Sequence, residues 1–318
     1  MKIWTRTTLA VTCAALAAWL IASVPDGAQA QQPPAGAKGP GAKGKGFAQD
    51  PRAQTRTYHF EDTNEDLPYS VYVSSKVKKD QKAPLVVTLH GLGAPQTIMM
   101  GAAAIDLAEE GGYILVAPMG YNTSGWYGSP AFSGGPGRGK GKAAAPPADG
   151  QVAPGAAKGP GDAAAKGKGG IGGGNQPENL RELSEKDTMN VIAMVRKEFN
   201  IDDKRMYIMG HSMGGAGAIY LGSKYATMFA AVGAEAPAAF WQTRKETLQP
   251  MKDAKVPVMI VHGDIDEVVP VANSHAWVDV MKELNMQYEF VEQPGITHGP
   301  VIQSGLKPIY EFFAKHKK

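Results

Sequence analysis

The chain has 318 residues and a formal charge of +3, enough length for one large buried core. Its only cysteine, Cys13, lies in the first apolar stretch, so the rest of the chain has no thiol for a disulfide, a thiolate metal site or a cysteine nucleophile. Residues 1–30 carry +1, 31–46 carry +3 and 133–175 carry +4, which leaves −5 on the remainder; a folded part that is mildly acidic argues against a structured nucleic-acid surface.

Lys2 and Arg6 precede an apolar stretch from Leu9 to Val24, Pro25 ends it, and Ala28-Gln29-Ala30 supplies small residues. That pattern predicts a secretory signal peptide over 1–30, cleaved after Ala30, and a secreted or periplasmic protein. An uncleaved anchor is the alternative, although the stretch is slightly short for a spanning helix. Nothing later in the sequence is long and apolar enough to span, so no membrane contact is expected after cleavage. Residues 31–51 and 133–175 are dominated by Gly, Ala, Pro and Lys. Neither has enough apolar side chains to offset the entropy lost on ordering, and both are expected to be disordered. The second segment interrupts a domain expected over 52–318, which a surface can tolerate because closure entropy grows slowly with loop length. It reads either as a neutral expansion or as a cationic tether for an anionic surface; it lacks the apolar face of a lid.

Within that domain the first elements are a hairpin near Thr55–Glu61 and Tyr69–Ser74, a β-branched strand at Pro84–Leu89, a helix around Thr97–Glu110 and a strand at Tyr113–Ala117. A long amphipathic helix follows over about Ser184–Phe199, with Ser184 as a candidate cap, then strands at Met206–Met209, Ala230–Ala234 and Pro257–Val261. A helix near Ala272–Leu284, a strand at Tyr288–Glu292 and a helix over Val301–Lys315 complete the chain. Short apolar strands alternating with helices predict an α/β fold with a mostly parallel sheet covered on both faces.

The sequence Gly210-His211-Ser212-Met213-Gly214 lies between the Met206–Met209 strand and the small-residue segment Gly215–Ile219. A serine at the apex of a strand–turn–helix has a strained backbone; flanking glycines relieve the crowding and leave the hydroxyl exposed. The following helix aims its N-terminal N–H groups at the place where an oxyanion would form. A serine hydroxyl is a poor nucleophile until a base, itself oriented by an acid, takes its proton. Loops after parallel strands open at one edge of the sheet, so distant residues converge there. The loop after Pro257–Val261 carries Asp264, Asp266 and Glu267; the loop after Tyr288–Glu292 carries His298, the one histidine in the required order and position. His262 and His90 end strands and read as structural, His211 as packing beside the site, and His59, His275 and His316 as surface or packing residues. His262 and Asp264 make a weak metal signal, and no metal or other cofactor is expected.

These motifs resemble those of secreted α/β-hydrolase esterases, the group that includes polyhydroxybutyrate depolymerase-like, feruloyl and acetylxylan esterases. Gly210–Gly215 resembles their nucleophile elbow, His262-Gly263-Asp264-Ile265-Asp266 with Val269-Pro270 their acid loop, and Leu89-His90-Gly91-Leu92-Gly93 the loop that completes the oxyanion hole. The resemblance implies an α/β-hydrolase fold and a catalytic set of Ser212, Asp266 and His298, with Asp266 preferred to Asp264 or Glu267. It also implies an oxyanion hole built from the N–H groups of Met213 and Leu92, with Gly91 as the alternative to Leu92. The insertion and the missing disulfides depart from the pattern and bear on the substrate. Trp126 and Tyr127, in a loop after a strand, are candidate pocket walls together with His211, and a small or polymeric ester is the expected substrate. Phe240 and Trp241 could line the pocket or pack in the core. The sequence leaves the oligomeric state open. A serine peptidase of prolyl-oligopeptidase-like type and a non-catalytic binding protein on the same fold are the competing functions.

Overall fold

The computed structural model describes residues 48–130 and 176–318. The expected signal peptide, the tail up to residue 47 and the 133–175 insertion lie outside the described residues. Eight strands, β1 (Gln54–Phe60), β2 (Glu65–Val73), β3 (Ala83–Leu89), β4 (Ile114–Pro118), β5 (Ile201–His211), β6 (Ala231–Glu235), β7 (Val258–Gly263) and β8 (Tyr288–Gln293), form one sheet in the order β1-β2-β4-β3-β5-β6-β7-β8. Strand β2 runs antiparallel to both β1 and β4, and every other pairing is parallel.

The sequence dictates this layout directly. All seven residues of β3 and all five of β4 are buried, as expected for central strands of a sheet covered on both sides. Side chains alternate faces with the strand period. Leu85, Val87, Leu89, Ile208 and Ile260 pack with Val191, Ile219, Leu248 and Trp277. Val86, Leu115, Tyr207, Met209 and Val261 pack with Ile105, Ile309, Phe312 and Phe313. The first set faces helices α2 (Leu180–Glu198), α3 (Met213–Lys224), α4 (Arg244–Asp253) and α5 (Ala272–Glu283); the second faces α1 (Ala102–Gly111) and α7 (Leu306–Lys315), the latter preceded by the short α6 (Val301–Ser304).

The register fixes where the loops emerge. Leu89 pairs with Gly210, His211 with Glu235, Glu235 with Val261, and Val261 with Val291. The carboxyl ends of β3, β5, β6, β7 and β8 therefore lie side by side, and the residues that follow each strand leave from one edge.

Several boundaries depart from the sequence expectation, each for a local reason. The helix expected over 97–110 is a 3-10 turn at Gln96–Met100 followed by α1, because Gly101 between them is extended (φ −72°, ψ 163°). Helix α2 begins at Leu180, so Ser184 is interior rather than a cap; its buried Oγ accepts the Tyr127 N–H at 2.9 Å. Helix α4 has no sequence signal, since only Leu248 and Met251 are buried and it carries Pro250 inside it. Gly305 separates α6 from α7. Order also begins before residue 52: the Asp50 N–H donates to Met100 O at 2.7 Å, Arg52 binds the Asp50 carboxylate, and Ser70 Oγ donates to Gln49 Oε1 at 2.9 Å. Polar side chains with fixed partners hold this stretch where apolar ones are scarce.

Asp187 on α2 is fully buried and ties three elements together. Its carboxylate accepts the Tyr58 hydroxyl from β1 at 2.6 Å and the Tyr121 N–H from the loop after β4 at 2.9 Å. Burial raises its pKa and these bonds oppose the rise. The variant Asp187→Ala would take the acceptor from two partly buried donors and should lose about 1–3 kcal/mol of stability. Urea unfolding measures this; a loss below about 1 kcal/mol would mean that water replaces the carboxylate.

Candidate active site

Ser212 follows the last residue of β5 and has φ +57° and ψ −116°, a strained conformation for a residue with a Cβ, worth about 1–3 kcal/mol. Its neighbours hold it there. The Ser212 N–H donates to Glu235 O at 2.9 Å, and Ser212 O accepts the N–H of Ala238 at 2.9 Å and of Ala216 at 3.0 Å. The glycines on each side are required by close approach: a Cβ at Gly210 would strike the Gly214 backbone, and one at Gly214 would strike Leu89 O. Helix α3 starts at Met213, so its first N–H groups lie at the serine. Gly91, in the loop after β3, passes close to Ser212 (a Cβ there would lie 3.4 Å from Ser212 Cβ).

Asp266 lies in the loop after β7, and its side chain has no solvent exposure. Its Oδ1 accepts the N–H groups of Val268 and Val269, both at 2.9 Å. Its Oδ2 accepts from His298 Nδ1 at 2.6 Å and from His262 Nε2 at 3.1 Å. Burial alone would raise the Asp266 pKa; the two imidazole donors, the nearby His298 and the Val269 N–H outweigh it and hold the carboxyl well below its ordinary range. The other two carboxylates of this loop do not reach His298: Asp264 is exposed and accepts the Gly295 N–H at 2.7 Å, which fastens the base of the histidine loop, and Glu267 is exposed.

His298 is held from behind by His211, whose Nε2–H donates to His298 O at 2.9 Å, with the ring centroids 4.6 Å apart. His211 therefore braces the histidine loop, with its ring beside that of His298. The structure thus brings Asp266 and His298 into hydrogen bond and sets His298 against the residue before Ser212. It forms no hydrogen bond between Ser212 Oγ and His298. Tyr127, a candidate wall residue in the sequence, is wholly buried, edge-on to the His90 ring, and its hydroxyl accepts the His90 N–H at 3.0 Å. Trp126 beside it is partly buried against the core. Trp241 packs edge-on to Trp277, and its N–H donates to Thr247 Oγ1 at 3.0 Å, a core role. His90 spans Gly91 O and Met119 O and is structural, as its sequence position suggested. His262 is buried too, but bonds the acid. His275 pairs with Glu292 at the surface. A concavity of about 510 Å³ between Ile98–Ala104 and Ile302–Leu306 contains none of Ser212, Asp266 and His298; the hydrogen-bond geometry, not this hollow, locates the candidate site.

Glu235 is the buried group that sequence reading missed. Its carbonyl anchors the Ser212 N–H, while both carboxyl oxygens are buried with no hydrogen-bond partner among the described residues, and burial drives its pKa far upward. It resembles any strand-end residue in the sequence, so nothing marked it. Among the described residues no group of three or more His, Cys, Asp or Glu side chains is placed to hold a metal ion, and no helix is long and apolar enough to cross a membrane.

Comparison with solved structures decides the fold. A ferulic acid esterase from Anaeromyces mucronatus, in complex with ferulic acid, matches 86% of this chain and 93% of its own at TM-score 0.55 and 19% identity. An acylaminoacyl peptidase from Pyrococcus horikoshii matches 84% of this chain and 42% of its own at TM-score 0.54 and 16% identity. This chain has the α/β-hydrolase fold. The Esterase family model, described as “Putative esterase”, matches residues 174–296 of the chain. Cutinase est1 of Thermobifida alba is 36% identical over 101 residues, which is 31% of this chain and 31% of that relative; the match thus spans under a third of the curated relative's length.

Two buried groups give the folded chain opposite pH signatures. Burial, reinforced by His298, lowers the His211 pKa to about 3. Below about 6.5 the unfolded chain takes up a proton at this position that the folded chain refuses, so stability falls with pH by up to about 1.4 kcal/mol per unit until about pH 3. Between pH 7 and 4.5 the variant His211→Gln should lose about 2 kcal/mol less than the wild type in urea unfolding. Glu235 has a raised pKa, so the folded chain keeps a proton that the unfolded chain releases above about 4.3, and its contribution declines as pH rises. Glu235→Gln should therefore gain on the wild type from pH 4 to pH 8. Parallel stability curves would contradict either assignment.

Proposed function

We propose that this α/β-hydrolase is a serine esterase that cleaves carboxylic esters through an acyl-enzyme, with Ser212 as nucleophile, His298 as base and Asp266 as the orienting acid. The observation that carries the proposal is the 2.6 Å bond from His298 Nδ1 to a buried Asp266, next to a strained serine elbow. Asp266 occupies Nδ1, which leaves Nε2 as the nitrogen that takes the Ser212 proton as Oγ attacks the acyl carbonyl. Nucleophile–base bonds of this kind commonly tighten only in the substrate complex. Asp266 keeps the imidazole in the right tautomer and stabilises the imidazolium. The N–H groups of Met213 and Leu92 (or Gly91) receive the oxyanion, a role in which losing one donor typically lowers the rate by about 10²–10³. The imidazolium then protonates the leaving alcohol, and water attacks the acyl-enzyme by the reverse proton route. No metal or cofactor enters these steps.

The rim supports an ester with an apolar part. Leu92, Ile265 and Val268 are 51%, 53% and 58% exposed and lie on the oxyanion loop and on either side of Asp266; Trp126 remains a candidate wall residue. The similarity to Cutinase est1 and the Esterase family match favour ester hydrolysis. The likeness to an acylaminoacyl peptidase keeps a peptidase as the second reading.

Nitrophenyl esters of increasing acyl length, assayed beside aminoacyl anilides, separate the two; preference for anilides would reverse the assignment. Ser212→Ala and Asp266→Asn should each lower kcat by about 10⁴-fold or more, and a fluorophosphonate should label the wild type and not Ser212→Ala. An unlabelled wild type would leave a binding protein on a hydrolase fold.

We also propose export by the Lys2–Ala30 leader. N-terminal sequencing of protein recovered outside the cytoplasm should begin at Gln31; intact Met1 in that material would contradict cleavage.

A further inference from the structure

Asp266 has a second imidazole partner that the esterase mechanism does not use. His262, next to last in β7, is fully buried. Its Nε2 lies 2.8 Å from Val269 O and 3.1 Å from Asp266 Oδ2. A carbonyl oxygen only accepts, so Nε2 carries a hydrogen in every charge state, and that hydrogen is shared with the carboxylate. On the other side of the ring, Nδ1 lies 2.7 Å from Ser274 Oγ, a fully buried hydroxyl on the first turn of α5. Ser274 Oγ has no other side-chain partner among the described residues, so its hydrogen points at Nδ1 and holds the Nε2–H tautomer.

The need for this arrangement follows from carboxylate geometry. The Val268 and Val269 N–H groups fix Oδ1 and hence the position of the group. The carboxyl torsion of an aspartate is broad rather than staggered, and one anchored oxygen leaves the plane free to swing about the anchor. Oδ2 is the oxygen that His298 uses. A second N–H donor on Oδ2 fixes the plane and, through it, the direction in which His298 presents Nε2 to Ser212.

We propose that His262 and Ser274 are positioning residues that extend the catalytic set into a chain from Ser274 through His262, Asp266 and His298 to Ser212. This rests on the serine-esterase reading. Neither residue touches substrate; both act through the orientation of Asp266. A packing role alone would require an apolar or isosteric filler at 262, not a donor, and would not set a tautomer.

The test has two arms. In the wild type with labelled histidine, long-range proton–nitrogen correlation spectra should find the His262 proton on Nε2; a proton confined to Nδ1 overturns the proposal whether or not any variant folds. In kinetics with a nitrophenyl ester, His262→Leu should lower kcat by about 10- to 100-fold with KM within about two-fold, the effect expected from one lost donor to a charged group. His262→Gln, which restores an N–H near the Nε2 position, should return kcat to within about five-fold of the wild type, and Ser274→Ala should fall between them. Wild-type kcat in folded His262→Leu or in Ser274→Ala overturns the proposal, and so does a kcat loss that His262→Gln fails to relieve. Ser212→Ala run alongside isolates the underlying reading: turnover that survives it sinks the esterase assignment, whereas turnover that depends on Ser212 but ignores His262 and Ser274 sinks only the extension.

Discussion

The candidate site depends on one carboxylate and the four N–H groups that surround it. Asp266 has no side-chain exposure, and burial acting alone would raise its pKa. Two backbone donors on Oδ1 and two imidazole donors on Oδ2 keep it charged. A buried charge is stable only when its lone pairs are satisfied this fully, and a charge held in this way can orient a neighbouring ring without moving. The donors come from the loop after β7, from β7 itself and from the loop after β8. The charge therefore exists only when these two adjacent strands are correctly paired, from Val258 opposite Tyr288 to Gly263 opposite Gln293. Fold and site are one constraint at this point.

The serine side of the site is built on the opposite principle. Ser212 is held in a sparsely populated conformation by bonds to its neighbours rather than by its own preference. The anchor is a backbone atom of the adjacent strand, Glu235 O. The small residues of α3 let that helix lie close to β3 and β6, as Gly214 against Leu89 and Gly215 against Glu235 illustrate. His211 then links the two sides: it ends β5, precedes the serine and bonds the carbonyl of His298. A side chain that reads as packing in the sequence is the strut between the serine turn and the loop of His298.

What the sequence disclosed follows from how local each signal is. The elbow glycines, the strand alternation and the Asp-to-His order are short-range patterns, and they located the sheet, Ser212 and the loops carrying Asp266 and His298. The choice among Asp264, Asp266 and Glu267 needed the resemblance, because three acids within four residues differ only in which one the turn folds inward. Tyr127 shows the limit for pockets. Its position in a loop after a strand is correct, but its positive φ of 53° turns the ring under His90, and no pattern in the sequence predicts that turn. Helix α4 was missed because its buried face has only two apolar residues. The role of His262 was hidden for a different reason: a histidine that ends a strand looks the same whether its ring meets a carbonyl or a carboxylate.

Glu235 shows what the arrangement costs. Most buried polar groups near the site have partners, among them Asp266, His262, Ser274 and His90. Among the described residues the carboxyl of Glu235 has none, nor does the hydroxyl of Tyr310, which lies within its electrostatic reach. An unpartnered buried acid stays neutral, at an expense of a few kcal/mol, and the strained Ser212 adds to it. Both penalties fall on the same short stretch, where β5 meets β6 at the edge of the sheet. Protein interiors satisfy their polar groups almost everywhere, and local violations tend to cluster where function demands a geometry that folding would not choose. Here the demand is visible: residue 235 must offer its carbonyl to residue 212, and that backbone position carries its side chain into the core beside Gly305. The dense aliphatic packing of β3, β5 and β7 against α3 and α7 is what allows the edge to hold such a residue.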